Sequence, residues 1–331
     1  MTIDIHAHVV PEQLLVALAE NAPQAAPQLR RQDDGLYLDY SSGRSSGPVP
    51  EGMVDVDARL RDMDATGVDM QALSVPPTHF AYGIHPEQAA AAAHLHNDSM
   101  LEMAAAHPDR FVVLGTLPMQ DTGRALAELE RLADLPAVVG VELGTNVDGR
   151  NLDDPDLEPV WEALDRAGLA VVLHPDNVVG APRMKDHYLH NFVGNPTDTT
   201  LAAGSLIFGG VLSRNQALRV ALLHGGGFLP YQIGRFEHGW TVRPEPKVHL
   251  DHSPRELLPR FFFDTLTHDR DSLRFLHERV GSDRLCLGTD YPFDMADADP
   301  LRSIGAALDA DDVETITTAT PRELLTRRPP V

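Results

Sequence analysis

Cysteine is nearly absent from this chain. Of 331 residues only Cys286 carries a thiol, which excludes a disulfide framework and a thiolate metal cluster and suits a reducing cytoplasm. Basic residues are also scarce, 27 Lys and Arg against 49 Asp and Glu for a net charge of −22. Such a field repels nucleic acid and anionic membrane surfaces, so neither is expected as a partner. No run approaches the roughly 18 unbroken apolar residues of a membrane span, and no charged segment followed by an apolar one opens the chain as a secretion signal would. What is plentiful is apolar content, 43% of the residues, enough for a large core in one elaborated domain over 1–331.

Hydrophobic patterning predicts strands alternating with helices. Strands are expected at 3–8, 69–75, 111–117, 137–143, 170–173, 220–223, 261–266 and 285–287. Helices are expected at 54–66, 86–106, 122–133, 155–167, 198–212 and 270–280, with further helices over 299–326. Segment 21–53, rich in Gly, Ser, Pro and Gln, reads as an insertion in which Leu36, Leu38 and Tyr40 alternate as one short hairpin strand. Strands separated by helices pair in parallel through right-handed crossovers, and eight of them predict an α/β fold, a closed (β/α)8 barrel with a small N-terminal insertion.

In a strand, alternate side chains share a face, so His6 and His8 project together with Cα atoms roughly 6–7 Å apart, a chelating pair. The fifth barrel strand ends in His174, the sixth in His224, and the eighth leads to Asp290. Each alone reads as a strand-capping or turn residue; together they put five ionisable groups at one mouth of one barrel, the end where such barrels carry their chemistry. Imidazoles with a carboxylate suit Zn²⁺, with Fe²⁺, Mn²⁺ or Co²⁺ as replacements. A catalytic site of this kind keeps a position for water, whose pKa falls to about 7 on zinc.

These residues resemble the amidohydrolase superfamily, and within it the branch typified by aminocarboxymuconate semialdehyde decarboxylase. The landmarks run through nearly the whole chain: Ile3 to His8, Arg61 to Asp64, Gln71 to Ser74, Arg110 to Gln120, His174-Pro175, Thr199-Thr200, Gly209-Gly210-Val211, His224-Gly225-Gly226-Gly227, and Leu287 to Phe293. The resemblance implies one divalent metal, zinc foremost, held by His6, His8, His174 and Asp290, with His224 as acid/base. It implies Arg235 or Arg243 as the grip on a substrate carboxylate, in that family partly across a dimer interface, and hence a homodimer. A two-metal site would want a Lys at the end of the fourth barrel strand, where this chain offers only Glu142, so a single metal is expected.

The match departs from the branch in two places. Pro175 is followed by Asp176 and Asn177 instead of Trp-Asp, and Asn191 stands where a pocket tryptophan is usual, so a more polar pocket is expected. Within the insertion the only candidate carboxylate-binding guanidinium is Arg44. The activity expected is non-oxidative decarboxylation of a small carboxylated unsaturated or aromatic acid. The alternative is hydrolysis of an amide, ester or lactone with the same metal, Asp290 taking the proton of the attacking water and His224 stabilising the oxyanion.

Overall fold

A computed structural model describes residues 1–40 and 45–327. Eight parallel strands follow one another around a barrel: β1 (Ile3–His8), β5 (Met70–Ser74), β6 (Phe111–Gly115), β7 (Val138–Gly144), β8 (Ala170–His174), β9 (Arg219–Leu222), β10 (Phe261–Asp264) and β11 (Leu285–Cys286). The intervening β2 (Gln28–Gln32), β3 (Gly35–Asp39) and β4 (Ser45–Ser46) form a separate antiparallel sheet. The barrel closes where the last strand meets the first: Ile5 donates to the Leu287 carbonyl at 3.0 Å, Asp290 to that of His6 at 2.9 Å, and His8 to that of Tyr291 at 2.7 Å.

Helices cover the outside. Pro86–Ala106, Thr122–Ala133 and Arg270–Val280 form where the apolar periodicity places them, the last two opened by Asp121 and Asp269, whose carboxylates accept from the first-turn amides. Helix Val56–Thr66 starts later than its apolar pattern suggests because Asp55 caps it, accepting from Ala58 N. The expected C-terminal helices are present as Pro300–Ala307, Ala310–Glu314 and Thr320–Leu325. Trp161, fully buried, donates its indole N–H to the Leu152 carbonyl and anchors helix Glu158–Ala167 on the barrel.

The insertion holds more order than its alternation reveals. One strand is legible at Leu36–Tyr40, but three are present, because β2 is exposed along its length and owes its pairing to β3 rather than to a buried face. Its Arg30 forks onto Asp39 of β3 at 2.7 and 3.1 Å. Tyr40, just past β3, lies 2.9 Å from His79 Nε2, and His79 Nδ1 lies 3.1 Å from His96 Nε2, so a buried polar chain ties the insertion to the barrel.

Candidate metal centre

β1 does not alternate evenly. Its pairing with β5 slips between Asp4 and Ala7. Ile3 and Ile5 pack with Ala72, Leu114, Val172, Ala221, Phe262 and Cys286, while His6 and His8 turn toward the centre where His174, His224 and Asp290 also arrive. The ring centroids of His6 lie 5.1 Å from His8, 5.2 Å from His174 and 5.2 Å from His224; His174 and His224 are 5.0 Å apart, all edge to face. Asp290 Oδ1 sits 3.2 Å from Nε2 of both His6 and His8, and its Oδ2 is 3.8 Å from His224 Nε2. One donor atom from each of His6, His174, His224 and Asp290 falls within 4.8 Å of the others.

Each of three imidazoles has an acceptor at Nδ1. Asp264 Oδ2 is 2.9 Å from His6 Nδ1, the Val75 carbonyl 3.0 Å from His8 Nδ1, and the Pro175 carbonyl 2.9 Å from His174 Nδ1. A ring whose Nδ1–H is so engaged presents a lone pair at Nε2. These three Nε2 atoms and Asp290 Oδ1 are buried without any hydrogen-bond partner. Leaving buried polar atoms unsatisfied costs about 1–3 kcal/mol each, and four of them facing one point fit a divalent cation, whose donors they would become. His224 differs: its Nδ1 has no such acceptor, and its side chain keeps 16% exposure.

Charge in the cluster follows from these neighbours. Burial works against charge on His6, but the Asp290 carboxylate and the Asp264 hydrogen bond raise its pKa well above the usual imidazole value. His174 is pushed well below it, by burial first and then by His224, His8 and His6. Burial would raise Asp290, yet the imidazoles of His6, His224 and His8 around it hold it well below the ordinary carboxylate range. Asp290 and His224 both take positive φ, 62° and 55°, a conformation that costs non-glycine residues energy and persists where surrounding contacts impose it.

Beneath the cluster lies a polar layer that the strand-end pattern does not mark. Asp4 accepts from His6 N, Thr289 N and Thr289 Oγ1 at 3.0, 3.1 and 2.7 Å. Gln71 bridges Asp4 to the fully buried Arg59, whose guanidinium also donates to the carbonyls of Gly52 and His8 and lies over the Tyr291 ring. Burial lowers Arg59 to about 10. Glu142 is fully buried 3.8 Å from His8 Nδ1, and burial raises its pKa.

A cavity of about 650 Å³ opens over His224 and Asp290. Asn191 lines it, as its sequence position suggests. Phe192, Phe228, Tyr231, Phe275 and Met295 share the wall with Asn195, Thr267, His268, Asp269, Asp271 and Ser272, so polar side chains stand beside aromatic ones. Asp176 is not part of the wall; its carbonyl accepts from Asn146 Nδ2 at 2.8 Å. Neither Arg235 nor Arg243 reaches this chain's own cavity. Arg235 is exposed on helix Leu229–Val242, and Arg243, beyond the far end of that helix, pairs with Glu245. Arg44 lies outside the described residues. No helix among those residues is long and apolar enough to cross a membrane.

Residues 3–327 match the family model described as amidohydrolase. The chain is 35% identical over 313 residues to the 2-amino-3-carboxymuconate-6-semialdehyde decarboxylase of Dictyostelium discoideum, covering 91% of this chain and 84% of that protein. It is 28% identical to the gamma-resorcylate decarboxylase of a Rhizobium species over 73% of this chain and 78% of that one. Among solved structures, the 5-carboxyvanillate decarboxylase of Sphingomonas paucimobilis superposes with a TM-score of 0.84 at 26% identity, covering 99% of both chains. The chain belongs to the amidohydrolase family, in its aminocarboxymuconate semialdehyde decarboxylase-like branch, and is an enzyme of that superfamily.

Proposed function

We propose that this chain is a metal-dependent, non-oxidative decarboxylase of a small aromatic or unsaturated carboxylic acid. The observation that carries the reading is the convergence of three buried, unpartnered Nε2 atoms with Asp290 Oδ1 at the floor of a largely apolar cavity. Relatives matching most of the chain are decarboxylases of such acids, which favours this reaction over hydrolysis. His6, His8, His174 and Asp290 are assigned as ligands of a single divalent cation, Zn²⁺ in the first instance. When bound, the cation acts as a Lewis acid that orients the substrate and offsets its negative charge.

The remaining chemistry belongs to the side chains. Phe192, Phe228, Tyr231 and Phe275 offer flat apolar surface to a planar acid and keep water from the reacting carbon. No Lys or Arg is found among the described residues lining the cavity. His224 is the proton donor: no acceptor holds its Nδ1, it faces the cavity, and its Nε2 is 3.8 Å from Asp290 Oδ2. Its proton goes to the ring or vinyl carbon bearing the carboxylate, where a π pair forms the C–H bond; the carbon–carboxyl bond then breaks, its electron pair restores the π bond, and CO₂ leaves. Proton and carboxylate in, CO₂ and C–H out, the step balances without oxidant or water.

A homodimer belongs to the same proposal. Phe228 and Tyr231 are exposed beside the cavity mouth, Tyr231 by 75%, and Arg235 lies one turn further along the same helix. A second copy covering this face would bring its Arg235 to the neighbouring cavity and supply a guanidinium that the described lining does not offer. Arg243, already engaged by Glu245, is the weaker candidate.

Metal analysis of the purified protein, followed by incubation with a panel of hydroxybenzoates, dienoates, esters, amides and lactones, tests the reading. CO₂ release with an unhydrolysed product is expected, with His174→Ala losing both metal and turnover and His224→Asn losing turnover alone. Cleavage of the esters, amides or lactones instead would select hydrolysis. Absence of divalent metal, together with full activity in His174→Ala, would overturn the metal centre itself.

A further inference from the structure

We infer that Asp264 is a positioning residue that joins the metal ligand His6 to the proton donor His224 through one carboxylate. The inference rests on the ligand assignment above and names a group outside it. Asp264 ends β10, is fully buried, and uses its two oxygens on different tasks. Oδ2 lies 2.9 Å from His6 Nδ1. Oδ1 accepts from the amides of Gly225 at 2.7 Å and Leu266 at 3.3 Å. Gly225 is the residue after His224, and both have positive φ, 63° and 55°. The carboxylate thus fixes one ligand ring and pins the strained turn that aims the acid/base at the same point.

The arrangement demands a carboxylate. All its partners donate: the Nδ1–H of a ligating His6, and two backbone N–H groups. A carboxylate accepts on both sides; an amide accepts on one and donates on the other. In Asp264→Asn the backbone amides cannot change sign, so the amide oxygen goes to Gly225 and Leu266 and the NH₂ faces His6. The ring must then accept at Nδ1 and carry its proton on Nε2, the atom assigned to the metal. Wrong-tautomer histidine is the consequence, while the His224 turn stays pinned. Asp264→Ala releases both ends. The size of Gly288 fits the same picture: a Cβ there would lie 2.7 Å from Asp264 Cβ and 3.1 Å from His6 Cβ, so the missing side chain is what lets the pair close.

The test uses zinc alone as the probe and needs no substrate, so it stands or falls apart from the reaction assigned above. With ¹⁵N-labelled histidine in the zinc-loaded wild type, His6 is expected to carry its proton on Nδ1; a proton on Nε2 would overturn the inference without any variant having to fold. By chelator competition, Asp264→Asn is expected to bind zinc about 10–100-fold more weakly. At saturating zinc its His224 resonances should stay where they are in the wild type, whereas in Asp264→Ala they should shift or broaden. Thermal unfolding checks that each variant is folded. Wild-type zinc affinity in folded Asp264→Asn, or an unmoved His224 in folded Asp264→Ala, would leave Asp264 a packing residue only.

Discussion

Adding one methyl group at Gly288 should injure the metal centre without replacing a ligand. A Cβ on Gly288 would lie 2.7 Å from Asp264 Cβ, 3.1 Å from His6 Cβ and 3.2 Å from Asp264 Oδ2. Carbon atoms in contact rest about 3.5–4.0 Å apart, so Asp264 and His6 must each withdraw by several tenths of an ångström in a layer with no free space. Two consequences follow, of different kinds. Forcing the methyl into a packed core costs about 1–3 kcal/mol, a fall in Tm of about 1.5–4 °C for a chain this long. Prising Asp264 from His6 Nδ1 stretches a 2.9 Å hydrogen bond toward its breaking range, and zinc affinity should drop about 10–100-fold. Gly305→Ala is the control, since nothing lies within 4 Å of a Cβ there; in a helix it should be neutral or stabilising by up to about 1 kcal/mol. Thermal unfolding of the metal-free protein and zinc titration against a chelator measure both effects. If Gly288→Ala melts with the wild type and binds zinc equally well, the packing account of this pair is wrong.

Three further outcomes are expected. Burial depresses His79 from 6.5 to about 4; the unfolded chain therefore takes up this proton first, so stability is full above about pH 6.5 and is lost as pH falls toward 4, by about 3 kcal/mol. His79→Gln should flatten the pH dependence of urea unfolding in that window, and an unchanged slope would refute it. Because Asp290 and Asp264 hold a proton on His6 against its burial, zinc binding near pH 7 should release about one proton and strengthen as pH rises. Calorimetry in buffers of different ionisation enthalpy reads that number, and zero would contradict it. Finally, mixing inactive Arg235→Ala with inactive His174→Ala should restore about a quarter of wild-type activity, the share of intact sites in randomly paired dimers; no recovery would place Arg235 outside the neighbouring cavity.

The barrel was legible because its signals are local. Each run such as Ala170 to Leu173 is apolar and bounded by a helix, and His6, His8, His174, His224 and Asp290 announce themselves by sitting where apolar runs stop. Asp264 sits at such a stop too, but Phe261 to Leu266 reads as one continuous run because Thr265 and Leu266 follow it; the strand in fact ends at Asp264. Arg59, Asp4 and Gln71 were hidden for another reason. Their partners lie far off in sequence, Asp4 to Thr289 for instance, and no periodicity encodes a contact between the two strands that close a barrel. The aromatic cavity wall escaped likewise, because Phe192, Phe228 and Phe275 come from three separate segments.

The division of labour among the histidines lies deeper still. All four imidazoles reach one point, and proximity alone does not separate ligand from acid/base: the group within 4.8 Å includes His224, while His8 Nε2 is 3.2 Å from Asp290. What separates them is the far side of each ring. A carboxylate or carbonyl at Nδ1 commits His6, His8 and His174 to one tautomer and so to a fixed lone pair, as a ligand requires. A residue that gives up a proton and takes it back does not depend on that commitment, and His224 is the ring whose Nδ1 meets no acceptor. The acceptors are two main-chain carbonyls and one aspartate from a distant strand. A carbonyl has no letter in the sequence, so the proposed distinction between binding a metal and moving a proton rests largely on backbone geometry.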